Sequence, residues 1–208
     1  MRNGKVFVDA NILIHAATFK SADVFSWIDS LYEDIYIHQE VLDELLISDV
    51  RKKVQSYIDQ GKWKLFDPDD EEALTEDDYA IYESYLTDMH KAFSDLNEKK
   101  IKEGRPQKNT NDLGEIHSLA AVILLGASII CSNDYDIQEV IQDTPIYATN
   151  GKALTNTLIE QDTLVDLCYQ TIKEGIERPR VVRKYLSVVA SDKVSDLEKL
   201  LSLTEVEV

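Results

Sequence analysis

The chain alternates short apolar runs with longer segments in which apolar residues recur every three or four positions. The short runs predict buried strands, and the longer spacing predicts amphipathic helices. The predicted strands cover residues 5–8, 35–38, 62–66, 127–132 and 144–149. The predicted helices cover residues 11–17, 21–33, 39–46, 50–60, 69–103, 112–125, 136–142 and 151–175, with further helix after residue 178. Because strands alternate with helices, the pattern predicts an α/β protein with a doubly wound, mostly parallel sheet.

Composition is that of an ordinary globular chain: 208 residues, 44% of them hydrophobic, with 7 Gly, 4 Pro and 2 Cys. This length predicts one large domain, or one domain with additions. The two cysteines have no metal-binding spacing and suit a reducing compartment. The N-terminus lacks an apolar leader, and the longest apolar run, residues 119–131, is too short to span a bilayer. We therefore expect a cytoplasmic protein that does not associate with a membrane.

Charge is strongly negative and unevenly distributed. The formal net charge is −17, which argues against a protein that coats nucleic acid. Residues 67–103 carry thirteen acids against four lysines, so about half of the excess lies in one segment. A solvated face is the simplest interpretation of any one charged run. Two basic stretches stand out: residues 178–193, and a cluster formed by Lys99, Lys100, Lys102, Arg105 and Lys108.

Acidic residues recur where the predicted strands end, and sites in open parallel sheets form at the carboxyl ends of strands. Asp9 ends the first strand, Glu44 lies on the helix after the second, and Asp134 follows the late strand. The helix from residue 112 opens with Asp112 and Glu115, which share one helical face. Together these positions predict one cluster of carboxylates at one edge of the sheet.

Each of these acids alone also fits a structural role. An Asp after a strand is a common helix N-cap, and Asp112 followed by Glu115 fits a capping box. Glu44 on an amphipathic helix fits a solvent-facing position. The joint placement at one sheet edge is what favours a functional cluster over separate caps.

A cluster of carboxylates needs a partner, because like charges a few ångströms apart repel one another. Divalent cations offset that repulsion, and hard oxygen ligands without His or Cys suit Mg²⁺ or Mn²⁺. Such ions activate water and stabilise the attacking and leaving oxygens of a phosphodiester. The residue types therefore predict metal-dependent phosphoryl hydrolysis.

Three segments in this order, VFVDANILIHA, EVLDEL and DLGEIHSLAAVILLGASIICSND, resemble a PIN-domain nuclease. The resemblance covers the outer parts of residues 5–150 and is interrupted by residues 67–111. It implies catalytic acids at Asp9, Glu44, Glu115 and Asp134. Asp112 is an alternative or additional metal ligand, Asp136 is a further contributor, and Asn11 and Asn133 match polar positions that support the acids.

The resemblance implies an α/β/α fold of PIN type and a single-stranded RNA endonuclease that uses Mg²⁺ or Mn²⁺. Residues 1–160 would form the nuclease domain, with a helical acidic insertion at 67–111 and a helical C-terminal extension at 161–208. Many such proteins are toxins of toxin–antitoxin pairs, so an antitoxin, another protein partner and a homo-oligomer are expectations. The basic cluster at residues 99–108 runs into the predicted site and is expected to bind the substrate backbone.

Two other classes of function fit parts of the pattern. A catalytically inactive PIN-like scaffold would bind RNA or a protein partner, although it has no need of mutually repelling carboxylates. A phosphatase or phospho-acceptor domain also has an Asp after its first strand, but Asn11 stands where a phosphatase usually has a second Asp. Among the remaining polar residues, His117 favours a packing or hydrogen-bonding role, and Tyr135 is the residue with a position suited to base stacking.

Overall fold

A five-stranded parallel sheet forms the centre of the computed structural model, which describes residues 1–107, 113–150 and 153–204. The strands are β1 (Arg2–Val8), β2 (Tyr32–His38), β3 (Trp63–Phe66), β4 (Ile129–Cys131), β5 (Tyr147–Asn150), β6 (Ala153–Leu158) and β7 (Glu160–Asp162). The order in the sheet is β3-β2-β1-β4-β7, and β5 and β6 form a separate antiparallel pair. The expected α/β class and parallel sheet are thus present.

Helices flank this sheet on both faces. Their bounds are α1 (Ala10–Thr18), α2 (Val24–Leu31), α3 (Gln39–Glu44), α4 (Ser48–Asp59), α5 (Glu76–Lys102), α6 (Leu113–Leu125), α7 (Tyr135–Asp143), α8 (Leu164–Lys173), α9 (Pro179–Val189) and α10 (Val194–Leu203), with a short 3₁₀ helix at Ser191–Lys193. Within the described ranges, no helix has the length and apolarity needed to cross a membrane.

The side chains of β1 point alternately to the two faces of the sheet, and a separate hydrophobic core covers each face. Val6 and Val8 point into a core shared with α1, α2, α4, α8, α9 and α10, whereas Phe7 points into one shared with α5, α6 and α7. Successive side chains of a strand face opposite sides of the sheet, so the apolar end of β1, residues 6–8, must be covered on both faces. In register, Val6 pairs with Ile129 and Val8 with Cys131, which places the ends of β1 and β4 side by side.

The acidic segment predicted to be one or two helices is largely a single helix, α5, 27 residues long. Thr75 caps its start by accepting a hydrogen bond from the Asp78 backbone N–H. Its apolar stripe is buried in the core beneath β1, where Tyr82, Met89 and Phe93 contribute. Its acids lie on the other face, as an amphipathic helix requires.

The short strand predicted at residues 144–149 is present as β5, which pairs with β6 outside the central sheet, while β7 occupies the sheet edge. The prediction was wrong for residues 153–162, which hold β6 and β7 in place of a helix. The helix expected over 151–175 begins only at Leu164, where Thr163 and Asp166 form a capping box. Leu154, Leu158 and Ile159 fit helical spacing, but the β-branched threonines among them favour strands.

The C-terminal helices pack tightly on the sheet. Tyr185 of α9 is fully buried and makes edge contacts with Phe19 and Trp27. The N-terminal amine of Met1 contacts Glu174 at 2.5 Å, so α8 ends near the start of β1. β7 begins at the residue where the expected nuclease domain ends, so the sheet continues into the expected extension.

Candidate active site

Asp9 lies where β1 ends and α1 begins, and only 4% of it is exposed. Its Oδ1 accepts a hydrogen bond from the Ala10 backbone N–H at 2.7 Å, so the residue caps α1. Its Oδ2 accepts from Asn11 Nδ2 at 2.5 Å and from Ser132 Oγ at 2.7 Å. These three neutral donors fix the orientation of the carboxylate.

Ser132 joins the end of β1 to the end of β4. Besides donating to Asp9, its hydroxyl oxygen accepts from the Asp134 backbone N–H at 3.2 Å. Asn11 adds a second link, because its Oδ1 accepts from the Asn133 backbone N–H at 3.1 Å. The two strand ends are therefore held together by side chains from both, with Asp9 and Asp134 on either side of Ser132.

Asp134 caps α7, and its Oδ1 accepts from the Asp136 backbone N–H at 2.8 Å. The turn that carries it is held by Gln161 of β7, whose Nε2 donates to the carbonyls of Ser132 at 2.8 Å and of Asp134 at 2.6 Å. Sequence reasoning missed Ser132 and Gln161. Ser132 could have been found from its place at the strand end, but Gln161 lay in a segment predicted to be helical.

The Glu44 carboxylate contacts the first turn of α6 at Gly114, where the absence of a side chain leaves room for it. Its Oε1 accepts from the Gly114 backbone N–H at 2.9 Å, at the positive end of the helix dipole. A Cβ at position 114 would lie 2.6 Å from that oxygen, so only glycine fits beneath the carboxylate as placed. Glu115 is the next residue of α6, and the contact therefore brings Glu44 and Glu115 to one helix end. Asp112 lies outside the described residues.

Asp136 has a different environment from the other acids. Its Oδ2 receives a hydrogen bond from Lys100 Nζ at 2.5 Å, and both residues are buried. This ion pair joins the last turn of α5 to the first turn of α7. Lys100 was expected to bind substrate phosphates, but at 4% exposure its ammonium group cannot reach them. Asp136 was expected to contribute to the metal site, but its carboxylate is paired with the Lys100 ammonium group instead.

The rest of the basic cluster is also engaged with carboxylates, within the described part of the chain. Lys99 pairs with Asp143 at 2.6 Å, and Arg105 pairs with Glu103 and Glu139. Hydrogen bonds from Arg105 hold the pKa of Glu139 below its usual range. Lys102 is exposed, with Glu98 at 3.6 Å, and Lys108 lies outside the described residues. These pairings tie α5 to α7 and leave the cluster with less charge for RNA than its sequence indicated.

A hydrogen-bond chain joins α5 to α3 and α6, the two helices that carry Glu44 and Glu115. Nδ1 of His38 accepts from the Glu40 backbone N–H, so neutral His38 carries its proton on Nε2 and donates to the Tyr82 oxygen at 3.0 Å. Tyr82 then donates to Nδ1 of His117 at 2.8 Å. His38 is the N-cap of α3, which carries Glu44, and His117 lies on α6. His117 thus has the hydrogen-bonding role that the sequence favoured for it.

Burial makes His38 a source of acid sensitivity. Burial, together with the nearby His117, lowers the pKa of His38 to about 3. The unfolded chain takes up this proton near pH 6.5, so it binds more protons than the folded chain between about pH 6.5 and 3. The stability contributed by neutral His38 is present above pH 6.5 and is lost as the pH falls toward 3.

We expect His38→Asn to have a shallower fall of unfolding free energy between pH 6.5 and 4, by up to about 1.4 kcal/mol per pH unit. Urea unfolding at a series of pH values measures this slope. His90→Asn, at an exposed position in ring contact with His117, is the comparison variant and is expected to change the slope less than His38→Asn does. Equal slopes for His38→Asn and wild type would contradict the assignment of His38 as buried and neutral.

Two further observations bear on the site. In residues 1–107, 113–150 and 153–204, no three His, Cys, Asp or Glu side chains are placed closely enough to hold one metal ion. No family model matches the sequence, and no curated protein matches it.

Proposed function

We propose that this protein is a metal-dependent endoribonuclease of PIN type that hydrolyses phosphodiester bonds of single-stranded RNA. The observation that carries the proposal is the hydrogen-bonded bridge through Ser132, which holds Asp9 and Asp134 at the ends of two adjacent parallel strands. These strands flank the point where the order β3-β2-β1-β4-β7 reverses direction. Ligands of open α/β sheets bind at such a switch point, outside the carboxyl ends of the strands.

The donor set suits a hard divalent cation. Asp9, Glu44, Glu115 and Asp134 would hold Mg²⁺ or Mn²⁺ through carboxylate oxygens, which are the ligands these ions prefer. When bound, such ions supply water activation and neutralise charge on a phosphodiester. Glu44 ends a short helix, and its carboxylate lies at the N-terminus of α6 beside Glu115, so these two acids would enter the set from one helix end.

The neighbouring residues would position this set. Asn11 and Ser132 donate hydrogen bonds to Asp9 and so fix its carboxylate oxygens at the end of β1. Gln161 holds the turn that carries Asp134. Such preorganisation supports catalysis because the ligands do not need to be reordered during the reaction. An antitoxin partner and a homo-oligomer remain predictions.

A PIN-like scaffold without catalytic activity is the second candidate. The separation of the described acids favours it, because no three of them are placed to share an ion. The two proposals differ in what divalent ions do, since the scaffold has no use for them.

The test of the proposal is a pair of measurements with Mn²⁺ or Mg²⁺. We expect millimolar Mn²⁺ to raise the melting temperature, because an ion that binds only the folded chain stabilises it, by about 2.7 kcal/mol at a hundred times its Kd. We also expect cleavage of single-stranded RNA that stops on chelation. An unchanged melting curve together with no cleavage would favour the scaffold.

A smaller change tests the placement of Glu44. We expect Gly114→Ala to fold at least as well as wild type, because alanine favours helix over glycine by up to about 1 kcal/mol. The added Cβ displaces the Glu44 carboxylate, so cleavage should fall about ten- to a hundredfold through misplacement. Cleavage rate and unfolding free energy are measured together, with Glu44→Gln as the reference for a lost charge. Wild-type cleavage by Gly114→Ala would remove Glu44 from the site.

A further inference from the structure

Tyr135 is exposed in a helix whose other apolar residues are buried. It is the first residue of α7, directly after Asp134, and 53% of it is in contact with solvent. Ile137, Val140 and Ile141 of the same helix lie in the core, so packing of α7 does not require the tyrosine ring. The Tyr135 ring is therefore available for contact with a ligand, next to the buried Asp134 carboxylate.

A cation from the C-terminal extension covers part of this ring. The ammonium group of Lys193, which ends the 3₁₀ helix after α9, lies 5.0 Å from the centroid of the Tyr135 ring. The neighbouring Tyr135 side chain raises the pKa of Lys193, so the lysine stays charged. This contact brings the segment after α9 to the start of α7, where Tyr135 directly follows Asp134.

This pair supplies what the rest of the site lacks. Lys99, Lys100 and Arg105 are paired with carboxylates of the same chain. A chain of net charge −17 repels the phosphates of RNA. Contacts with the uncharged bases therefore contribute a larger share of the affinity for RNA than they would in a basic protein. Every nucleobase has a flat face that stacks on an aromatic ring, whatever its sequence.

We propose that Tyr135 and Lys193 form a nucleobase platform beside Asp134, on which one base of a single-stranded substrate stacks while Lys193 contacts the adjacent phosphate. This inference rests on the proposed nuclease function and adds to it the residues that bind the substrate. The platform joins the catalytic edge to the C-terminal extension, which would make the extension part of the substrate site.

Binding of a short fluorescent single-stranded RNA tests the platform. All proteins carry Asp9→Asn so that the RNA stays intact, and a second RNA of the same length contains abasic nucleotides. We expect Tyr135→Ala to weaken binding of the normal RNA about 5- to 150-fold, and Tyr135→Phe to retain it. The abasic RNA should bind Tyr135→Ala and its parent equally. Lys193→Met should reduce the slope of log affinity against log salt by about one.

The matched control is Tyr147→Ala, at another exposed tyrosine (43% exposed), which should bind as the parent does. Equal binding by Tyr135→Ala and its parent would overturn the platform while leaving the nuclease proposal intact. Absence of RNA binding in the parent would overturn the platform as well, and the Mn²⁺-dependent melting and cleavage assays then judge the nuclease proposal separately. A loss in Tyr135→Ala that is equal on normal and abasic RNA would show that the ring does not contact a base.

Discussion

Replacing Asp9 by Asn is expected to lower the rate of RNA cleavage by about a hundredfold or more. The substitution removes one negative charge from the set of acids that would hold the divalent ion, and losing a ligand costs several kcal/mol of transition-state stabilisation. Asparagine can still cap α1, because its side-chain oxygen accepts a hydrogen bond as the Asp9 Oδ1 does. The fold should therefore persist, and the effect should appear in turnover more than in RNA affinity.

Single-turnover cleavage and RNA affinity measured side by side give this comparison. Asp23→Asn is the matched control, because Asp23 precedes α2 in the same N-cap position and lies away from the sheet edge that carries the site. The control should cleave as wild type does. Cleavage by Asp9→Asn at the wild-type rate would remove Asp9 from the mechanism and with it the proposed metal site.

Replacing Lys100 by Met is expected to lower the free energy of unfolding by about 3 to 5 kcal/mol. The Lys100–Asp136 pair is buried, with its charged atoms 2.5 Å apart, and Met leaves the Asp136 carboxylate without its cation in the interior. Removing one member of a buried pair has this cost because the remaining charge is neither solvated nor paired. Urea or thermal unfolding measures the loss.

The double variant Lys100→Met, Asp136→Leu is expected to regain most of that stability, since replacing a buried pair by apolar side chains is often close to neutral. Lys102→Met is the matched control on the same helix turn, and because Lys102 is exposed its effect should be within about 0.5 kcal/mol. A small loss in Lys100→Met, together with weaker RNA binding, would restore Lys100 to the substrate surface that its sequence context indicated.

Two acids at the same sheet edge have different surroundings in the folded protein. Asp134 and Asp136 are two residues apart in the chain, and both were assigned to the metal from their place after the late strand. In the folded protein Asp134 lies on the Ser132 bridge, whereas Asp136 turns to Lys100 on a helix 36 positions away. Their position after the strand made both acids candidates for the site. Only the packing of α5 against α7, which pairs Asp136 with Lys100, distinguishes their roles.

The sequence by itself determined the parallel α/β fold and the positions of Asp9, Glu44, Glu115 and Asp134 relative to its elements. Those features depend on local periodicity and on the order of elements, both of which are written in consecutive residues. It also determined that α5 is amphipathic, because its apolar stripe repeats at helical spacing.

Only the tertiary structure decided that β7 and not residues 144–149 completes the sheet, because a three-residue strand has too little periodicity to separate it from a helix. It alone decided that Lys99, Lys100 and Arg105 are paired with Asp143, Asp136 and Glu139, and that Lys193 reaches Tyr135. These contacts join residues far apart in the chain. Their formation depends on which helix faces pack together, and no local pattern contains that information.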